Sequence, residues 1–418
     1  MAEPYFGGEF KFSKAWYMKP GKWEIARDKY HLFDLYLKNE SARLDFKARV
    51  QTRFWDTGNS SDLSSMAGIF NYEIIPWEIW AQVNDLPLKN FSLKIGKQYF
   101  EWGTADGLHP TSVLNPDDYT DPFAMNEKIP VNAVNLNYFI SSFKVFLIWL
   151  PSFTPVKLPK YFPFLDHTSY QLPGIELVQI QENTTIPKEQ SQGMGWAFKC
   201  LFTLLSIDLS CGYFQGYDYM PSIKSVNYTL TGNMLDQFNL DIEMSFPKMK
   251  VYTMDLATSL HGFGLWTEVG IYDHDKTTLL INSPLRTEVT GILGGPYASY
   301  VIGTDYSFSG GFYFNLQYAY GLPYVRGKDY LEDYFILSLK DDFFSGLLEI
   351  EIANMLGFNR SRALGKNNEM LLSQHIRSLY FDDIILGIIF SEITAYGNVL
   401  FKNWEDYDSL ELYISYTF

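Results

Sequence analysis

Arg43-Leu44-Asp45-Phe46-Lys47-Ala48-Arg49-Val50-Gln51-Thr52-Arg53-Phe54 decides how the rest of the chain is read. Its odd positions carry Arg43, Asp45, Lys47, Arg49, Gln51 and Arg53, and its even positions carry Leu44, Phe46, Ala48, Val50, Thr52 and Phe54. A period of two is a strand with one wet face and one apolar face. A soluble sandwich uses the same alternation over a dry core, but its strands average about five or six residues. A tilted strand that crosses a bilayer needs about nine to eleven. This stretch is long enough to do so.

The rest of the composition agrees. The chain has 418 residues and a formal net charge of -15, and no segment reads as a linker between soluble domains. Aromatic residues make up 17%, with 30 Tyr, 33 Phe and 10 Trp, which suits girdles at two membrane interfaces. The longest apolar runs, Val145 to Leu150 and Ile384 to Phe390, fall far short of the roughly 18–20 residues of a spanning helix. A helical membrane protein is therefore excluded, and a closed barrel is the other way to satisfy every backbone group in lipid. The acidic balance excludes a nucleic-acid partner, which needs clustered positive charge. The opening Met1-Ala2-Glu3-Pro4 reads as a mature start behind an initiator Met, with an export signal removed.

Outward from the opening stretch, alternating or aromatic segments recur. Early strands are expected at Tyr5 to Tyr17, His31 to Lys38, Ala67 to Val83 (interrupted by Pro76) and Phe91 to Tyr99. Val131 to Ile140 and Phe143 to Leu150 form a hairpin. Phe238 to Phe246 alternates very regularly and is read as a wall strand turning on Pro247-Lys248 into Met249 to Ala257. Later strands include Phe263 to Tyr272, Ser299 to Tyr306, Phe312 to Tyr320, Tyr334 to Lys340, Leu347 to Ala353, Leu371 to Tyr380, Ile384 to Ser391, Tyr396 to Phe401 and Leu410 to Phe418. The fold expected is all-β: one membrane-spanning, antiparallel, up-and-down barrel over residues 1–418, of about eighteen strands (16–20), with long loops on one side. The up-and-down parity does not close near Ala257 and Phe381, so at least one strand is missed or counted in excess.

The two cysteines test the register. A hairpin turning on Leu205-Ser206 sets Leu204 against Ile207 and Cys200 against Cys211, with both sulfurs on the lipid side. That allows a cross-strand disulfide in an oxidising compartment. Leu-Ser is a poor turn pair, however, and one slip separates the two residues, leaving free thiols.

Two resemblances add to this reading. Leu410, Leu412, Ile414, Tyr416 and Phe418 alternate with Glu411, Tyr413, Ser415 and Thr417. This is similar to the C-terminal signal of bacterial outer-membrane barrels, and implies an outer-membrane location, a lipid partner and recognition of the Phe418 end by the assembly machinery. Ile95-Gly96-Lys97-Gln98, Trp102-Gly103, Asp106-Gly107 and Asn115-Pro116-Asp117-Asp118 resemble a segment of the porin-like DUF1302-like group of outer-membrane proteins. That resemblance implies a channel of no settled substrate. In residue terms, Gly96 admits a bend or a close backbone, Trp102 suits an aromatic belt, and Asn115-Pro116 starts a turn.

Residues 101–130 are the long non-alternating segment. They either fold into the lumen as a constriction carrying Trp102, Asp106, Asp117, Asp118 and Asp121, or hold a hard cation on their acids, or form a plain solvated loop. No twelve-residue calcium-loop pattern is present, so no metal is assigned. The polar strand faces are expected to line the pore with Arg43, Asp45, Lys47, Arg49, Arg53, Lys94, Lys199, Asp208, Asp241, Glu243, Glu349 and Glu351, together with Asp34 and Asp255. Basic early strands facing acidic later ones predict a transverse field across the lumen; the alternative is charges that pair across it and plug it. His31, His109, His167, His261, His274 and His375 have no ligand spacing, and no nucleophile or phosphate motif occurs. Neither catalysis nor a cofactor is assigned. The expected function is an outer-membrane channel for passive or substrate-selective diffusion of a small-molecule solute. The alternatives are an adhesin-like surface barrel acting through its long loops, and a transporter of hydrophobic molecules.

Overall fold

The seam between the two chain ends shows how the wall is built. In the computed structural model, Glu9 to Tyr17 pair antiparallel with Ser409 to Thr417. The Phe418 N–H donates to the Gly8 carbonyl and the Gly8 N–H to the Phe418 carbonyl, each at 3.0 Å. A Cβ on Gly8 would stand 2.5 Å from the Asp34 carbonyl oxygen, so only glycine allows the neighbouring strand this close. The structure describes residues 4–418 apart from 20–21, 27–28, 56–70, 86–87, 121–122, 124–126, 159–175, 189–193, 232–236, 285–286, 294, 324, 359–368 and 397–407.

The first wall position is β1 (Tyr5–Lys19). The second is shared by β2 (Lys22–Ile25) and β3 (Tyr30–Asn39), which pair with different halves of β1. β4 (Leu44–Trp55), β5 (Asn71–Asn84), β6 (Phe91–Gln98), β7 (Val131–Ile140) and β8 (Phe143–Leu150) follow. β9 (Glu176–Thr185) leaves the wall, and β10 (Gly195–Leu204) and β11 (Ile207–Tyr217) rejoin it. β12 (Ser222–Thr231) and β13 (Gln237–Ser245) lie outside it, before β14 (Lys248–Leu260) and β15 (Phe263–His274) continue the wall. β16 (Thr277–Asn282) and β17 (Thr287–Leu293) are the last excursion. β18 (Tyr297–Ser307), β19 (Tyr313–Tyr320), β20 (Asp333–Phe343), β21 (Leu348–Phe358), β22 (Glu369–Phe381), β23 (Ile384–Tyr396) and β24 (Ser409–Thr417) return to β1. The main sheet holds 19 strands; with β2 and β3 in one position it closes as an antiparallel barrel of eighteen.

The excursions form a second sheet in the order β17-β16-β12-β13-β9, parallel between β12 and β16 and between β13 and β9. Its own core is Val226, Phe238, Leu240 and Ile242. This corrects the reading of Phe238 to Phe246 as wall. The alternation is real, but its apolar face meets this small core and not lipid. The same correction accounts for the lost parity near Ala257. At the other break, Tyr396 is the last residue of β23, and positions 397–401 of the strand expected there lie outside the described residues.

The outer face of the wall is apolar. Ile79, Ile95, Leu147, Met254, Ile302 and Leu412 are all exposed there, a pattern stable only against hydrocarbon. Aromatic rows mark its borders. Trp196, Tyr213 and Tyr252 touch in sequence near the long-loop end, with ring centroids 5.1 Å apart at each step. Phe263, Tyr306, Phe308 and Phe312 form a row at the short-turn end, with steps of 4.4, 4.7 and 5.5 Å.

The cysteine hairpin has the expected register, Leu204 against Ile207 and Cys200 against Cys211, and both thiols are free. Its turn residues Leu205 and Ser206 sit at φ 50° and 68°. Two successive positive values match the strand twist, but the left-handed region costs a residue with a Cβ roughly 1 kcal/mol. Replacing Leu205-Ser206 by Asn-Gly is expected to stabilise the barrel by about 1–2 kcal/mol. A higher temperature for loss of the fast-migrating folded band in gel electrophoresis checks this.

Candidate functional site

The connection from β6 to β7 runs inside the barrel. Its start is shaped by Gly96, whose φ is 128° and where a Cβ would lie 2.2 Å from the Ile79 carbonyl oxygen. Asn115 then clamps both ends of the connection. Its Oδ1 accepts from the Phe100 N–H at 2.8 Å, and its Nδ2 donates to the carbonyls of Ile129 at 2.9 Å and Gln98 at 3.3 Å.

The inner wall offers this segment an apolar bed. Val131, Ile148, Ala197, Phe214, Val251 and Val301 face inward, and Trp102, Leu108, Val113 and Leu114 pack on them. Each large side chain so buried contributes roughly 1.5–3 kcal/mol. Polar anchors fix the register. The Glu268 carboxylate, fully buried on β15, accepts from the backbone N–H groups of Thr104, Ala105 and Thr111 at 2.5, 2.7 and 3.2 Å. It also takes the Thr111 hydroxyl at 2.7 Å and lies 3.1 Å from His109 Nδ1. Tyr272 donates to the Pro110 carbonyl at 2.6 Å, and Asn315 donates to Asp106 at 2.8 Å. Lys199 donates to the Trp102 carbonyl and pairs with Asp255 at 3.1 Å. Glu268 was not among the expected residues. Its inward position in Trp266-Thr267-Glu268-Val269 was the available signal.

On the other side of the lumen, β5 makes a bulge. Val50 pairs with Pro76 while Arg49 pairs with Glu78, leaving Trp77 as the extra residue. Pro76 has no N–H for the ladder, which suits a bulge. Trp77 turns inward beneath Arg53, whose guanidinium lies 5.1 Å from the Trp77 ring centroid and 4.5 Å from that of Tyr30. Arg53 donates to Asp118 at 3.2 Å and Glu127 at 3.1 Å, tying the wall to the inserted segment.

The other expected residues sort themselves by place. Lys47 pairs with Glu78 at 2.5 Å, and Arg49 donates from Nε to both oxygens of Asp34 at 3.0 and 2.8 Å. Lys94 lies over the Trp80 ring, 3.7 Å from its centroid. Asp45 accepts from Asn84 at 2.8 Å, Asp208 from Thr203 at 2.6 Å, and Glu351 from Ser338 at 3.1 Å; Glu349 pairs with Lys340 at 2.7 Å. Asp117 pairs with Lys128 at 2.5 Å.

Four expectations are corrected. Asp241 and Glu243 lie on β13 in the second sheet, because the strand that carries them packs on its neighbours outside the wall. Arg43 precedes β4 in an exposed turn. Arg53, Lys199 and Asp255 are 1%, 5% and 2% exposed and bolt the wall to the inserted segment, so they do not line open space. Trp102 is buried inside the barrel, away from the interfacial belt. Asp121 lies outside the described residues.

Between β4–β5 and the inserted segment remains a cavity of about 550 Å³, lined by Lys47, Arg49, Gln51, Trp77, Glu78, Tyr99, Glu101, Glu127 and Lys128. Its wall cations are matched by carboxylates on adjacent strands, so opposite charges stand beside each other and not across a divided lumen.

Solved structures share this arrangement of the whole chain. OccAB4 of Acinetobacter baumannii aligns with a TM-score of 0.55 at 12% identity, over 100% of this chain and 98% of that one. OccK2 (OpdF) of Pseudomonas aeruginosa, in complex with glucuronate, aligns with a TM-score of 0.53 at 10% identity, over 99% and 98%. The outer membrane protein OpdK of the same organism gives 0.51 at 10% identity, over 99% of each. The chain has the Occ barrel fold. No protein-family model matches the sequence, and no curated protein does.

Within this Occ-type barrel, one buried cluster joins two connections to the end of β15. Asp218, between β11 and β12, accepts from Arg326 Nε at 2.5 Å and Nη2 at 2.8 Å, and lies 2.8 Å from His274 Nε2. Burial opposes ionisation of Asp218, but the Arg326 guanidinium and the His274 ring outweigh it and hold its pKa well below the usual carboxylate range. A depressed pKa means that the stabilisation is complete above the ordinary aspartate value near about 4 and is lost as pH falls through the depressed one. Limited proteolysis of the long connections is therefore expected to stay slow from neutral pH down to about 4 and to accelerate only in stronger acid. Asp218→Asn is expected to make it fast already at pH 7. For the inserted segment, Glu268→Ala leaves several N–H groups unpaired and is expected to cost about 3 kcal/mol. Faster protease cleavage within residues 101–130 of the reconstituted protein, with the barrel still folded, checks this.

Proposed function

We propose that this chain is a porin-like channel of the outer membrane, through which small polar molecules diffuse passively or selectively. The cavity between β4–β5 and the inserted segment carries this reading. Its volume of about 550 Å³ suits a small solute. It is lined by charged and aromatic side chains on two opposed surfaces, and such a lining supports passage of polar molecules and not of hydrophobic ones. The inserted segment acts as the constriction. OccK2, of the same fold, was solved with glucuronate, a solute of suitable size for such a cavity. The Gly96 to Asp118 motif, similar to the porin-like DUF1302-like group, supports the same role because Gly96, Trp102, Asp106, Asn115, Asp117 and Asp118 shape or anchor the constriction. Phe418 on the closing strand is the group the assembly machinery would read. No chemical reaction is assigned to the protein.

The second sheet, built from three long connections, favours one further reading, in which those connections also bind a partner at the surface.

The channel is tested in planar bilayers. Discrete conductance steps are expected from the intact protein. In a background with Cys200 and Cys211 replaced by alanine, Glu101→Cys places a thiol at the cavity. A bulky water-soluble thiol reagent is then expected to reduce the step size roughly twofold or more, as filling a narrow pore requires. Absence of steps, or steps indifferent to the reagent, would refute the assignment of the path.

A further inference from the structure

The cavity between β4–β5 and the inserted segment is lined by as many cations as carboxylates: Lys47, Arg49 and Lys128 against Glu78, Glu101 and Glu127. Five of these six are already answered. Lys47 pairs with Glu78 at 2.5 Å, Arg49 donates to Asp34 at 2.8 Å, Lys128 pairs with Asp117 at 2.5 Å, and Glu127 accepts from Arg53 at 3.1 Å. Glu101 has no ionic partner among the described residues, and it is exposed. Further charges around the cavity are Glu9 within reach of Arg49, Asp118 beside Arg53, and Lys94 within reach of Glu78. They add no positive excess. A charged solute therefore gains little here. An anion would have to separate an existing pair. A cation would meet one hydrated carboxylate, and exposed ion pairs contribute little. Either would give up hydration on entering.

Hydrogen-bonding capacity is left over, however. Arg49 spends Nε and Nη2 on Asp34 and keeps Nη1. Lys47 spends one of its three N–H groups on Glu78, whose other oxygen takes the Trp80 ring N–H at 3.2 Å, so both keep free positions. From the inserted side, the Tyr99 hydroxyl and the Glu101 carboxylate have no hydrogen-bond partner among the described residues. A hydroxyl is donor and acceptor at once, so it uses these groups without separating any pair. Tyr99 also offers a half-buried ring. Trp77 is 7% exposed with Arg53 over its face, so it offers only an edge. An aromatic face with a polar tip matches a ring that carries C–H groups on its faces and hydroxyls around its rim.

We propose that the cavity takes a neutral polyhydroxylated solute of about monosaccharide size, and takes it in preference to the acidic or basic form of the same sugar. The inference rests on the channel reading of the previous subsection and names the solute class for that site.

The test is entry of labelled glucose, glucuronate and glucosamine into proteoliposomes holding the full chain, at about pH 6, where the second is an anion and the third a cation. Glucose is expected to enter faster than either by roughly twofold or more. Tyr99→Leu is expected to slow glucose by a similar factor. Glu78→Gln keeps the shape, frees Lys47, and is expected to raise the glucuronate-to-glucose ratio roughly twofold or more. If it fails to fold, Lys47→Gln frees Glu78 and is expected to raise the glucosamine-to-glucose ratio in its place. Faster entry of a charged sugar than of glucose in the unaltered chain would overturn the solute class. So would conducting pores that exclude glucose, or rates indifferent to these substitutions; each leaves the channel standing. Absence of both sugar entry and conductance would overturn the channel as well.

Discussion

Hydrocarbon offers the backbone no hydrogen-bond partner, and this one constraint orders the whole structure. Each strand must find a neighbour on both sides, so the wall cannot end and β24 must meet β1. The chain tolerates interruptions only where another segment covers them. β2 and β3 divide one wall position, and both still pair with β1. The bulge at Pro76 is placed where a missing N–H leaves no unpaired donor on the lipid side and where the extra residue, Trp77, has a use inside. Side chains then follow from the pleat. One parity meets lipid and is apolar; the other meets the lumen and takes whatever the lumen contains.

What the lumen contains changes around the circumference. Along β4 and its neighbours it is an open cavity, and the inward parity is charged. Along β7 to β14 it contains the inserted segment, and the inward parity is Val131, Ile148, Ala197 and Val251. β8 is therefore apolar on both faces, with lipid outside and the inserted segment inside. A strand with two apolar faces reads as a continuous run and not as an alternation. The run from Val145 to Leu150 was thus the local trace of a segment folded inside the barrel. Residues 101–130 were the stretch free to fill that role.

The barrel was legible because it follows from periodicity. The register of the cysteine hairpin was legible because two-residue turns leave no freedom once Leu204 and Ile207 are matched. The second sheet was not legible. Phe238, Leu240 and Ile242 alternate as a wall strand would, and a period of two does not say whether the apolar face meets lipid or a small protein core. The roles of the inward charges were only half legible. Parity placed Lys47, Arg49 and Arg53 inside, but their partners come from Glu78, Asp34 and Asp118, and only the folded ring brings Asp118 to Arg53, 65 positions earlier. Glu268 escaped for the same reason, since every group it holds lies on a segment more than 150 positions away.

These partners show what charge inside the barrel does where it is buried. Where the inserted segment meets the wall, charges are buried and each is answered: Arg53 by Asp118 and Glu127, Lys199 by Asp255, Lys128 by Asp117. An unanswered charge there would cost several kcal/mol, roughly what breaking a buried pair costs. These groups fix geometry and carry little net field.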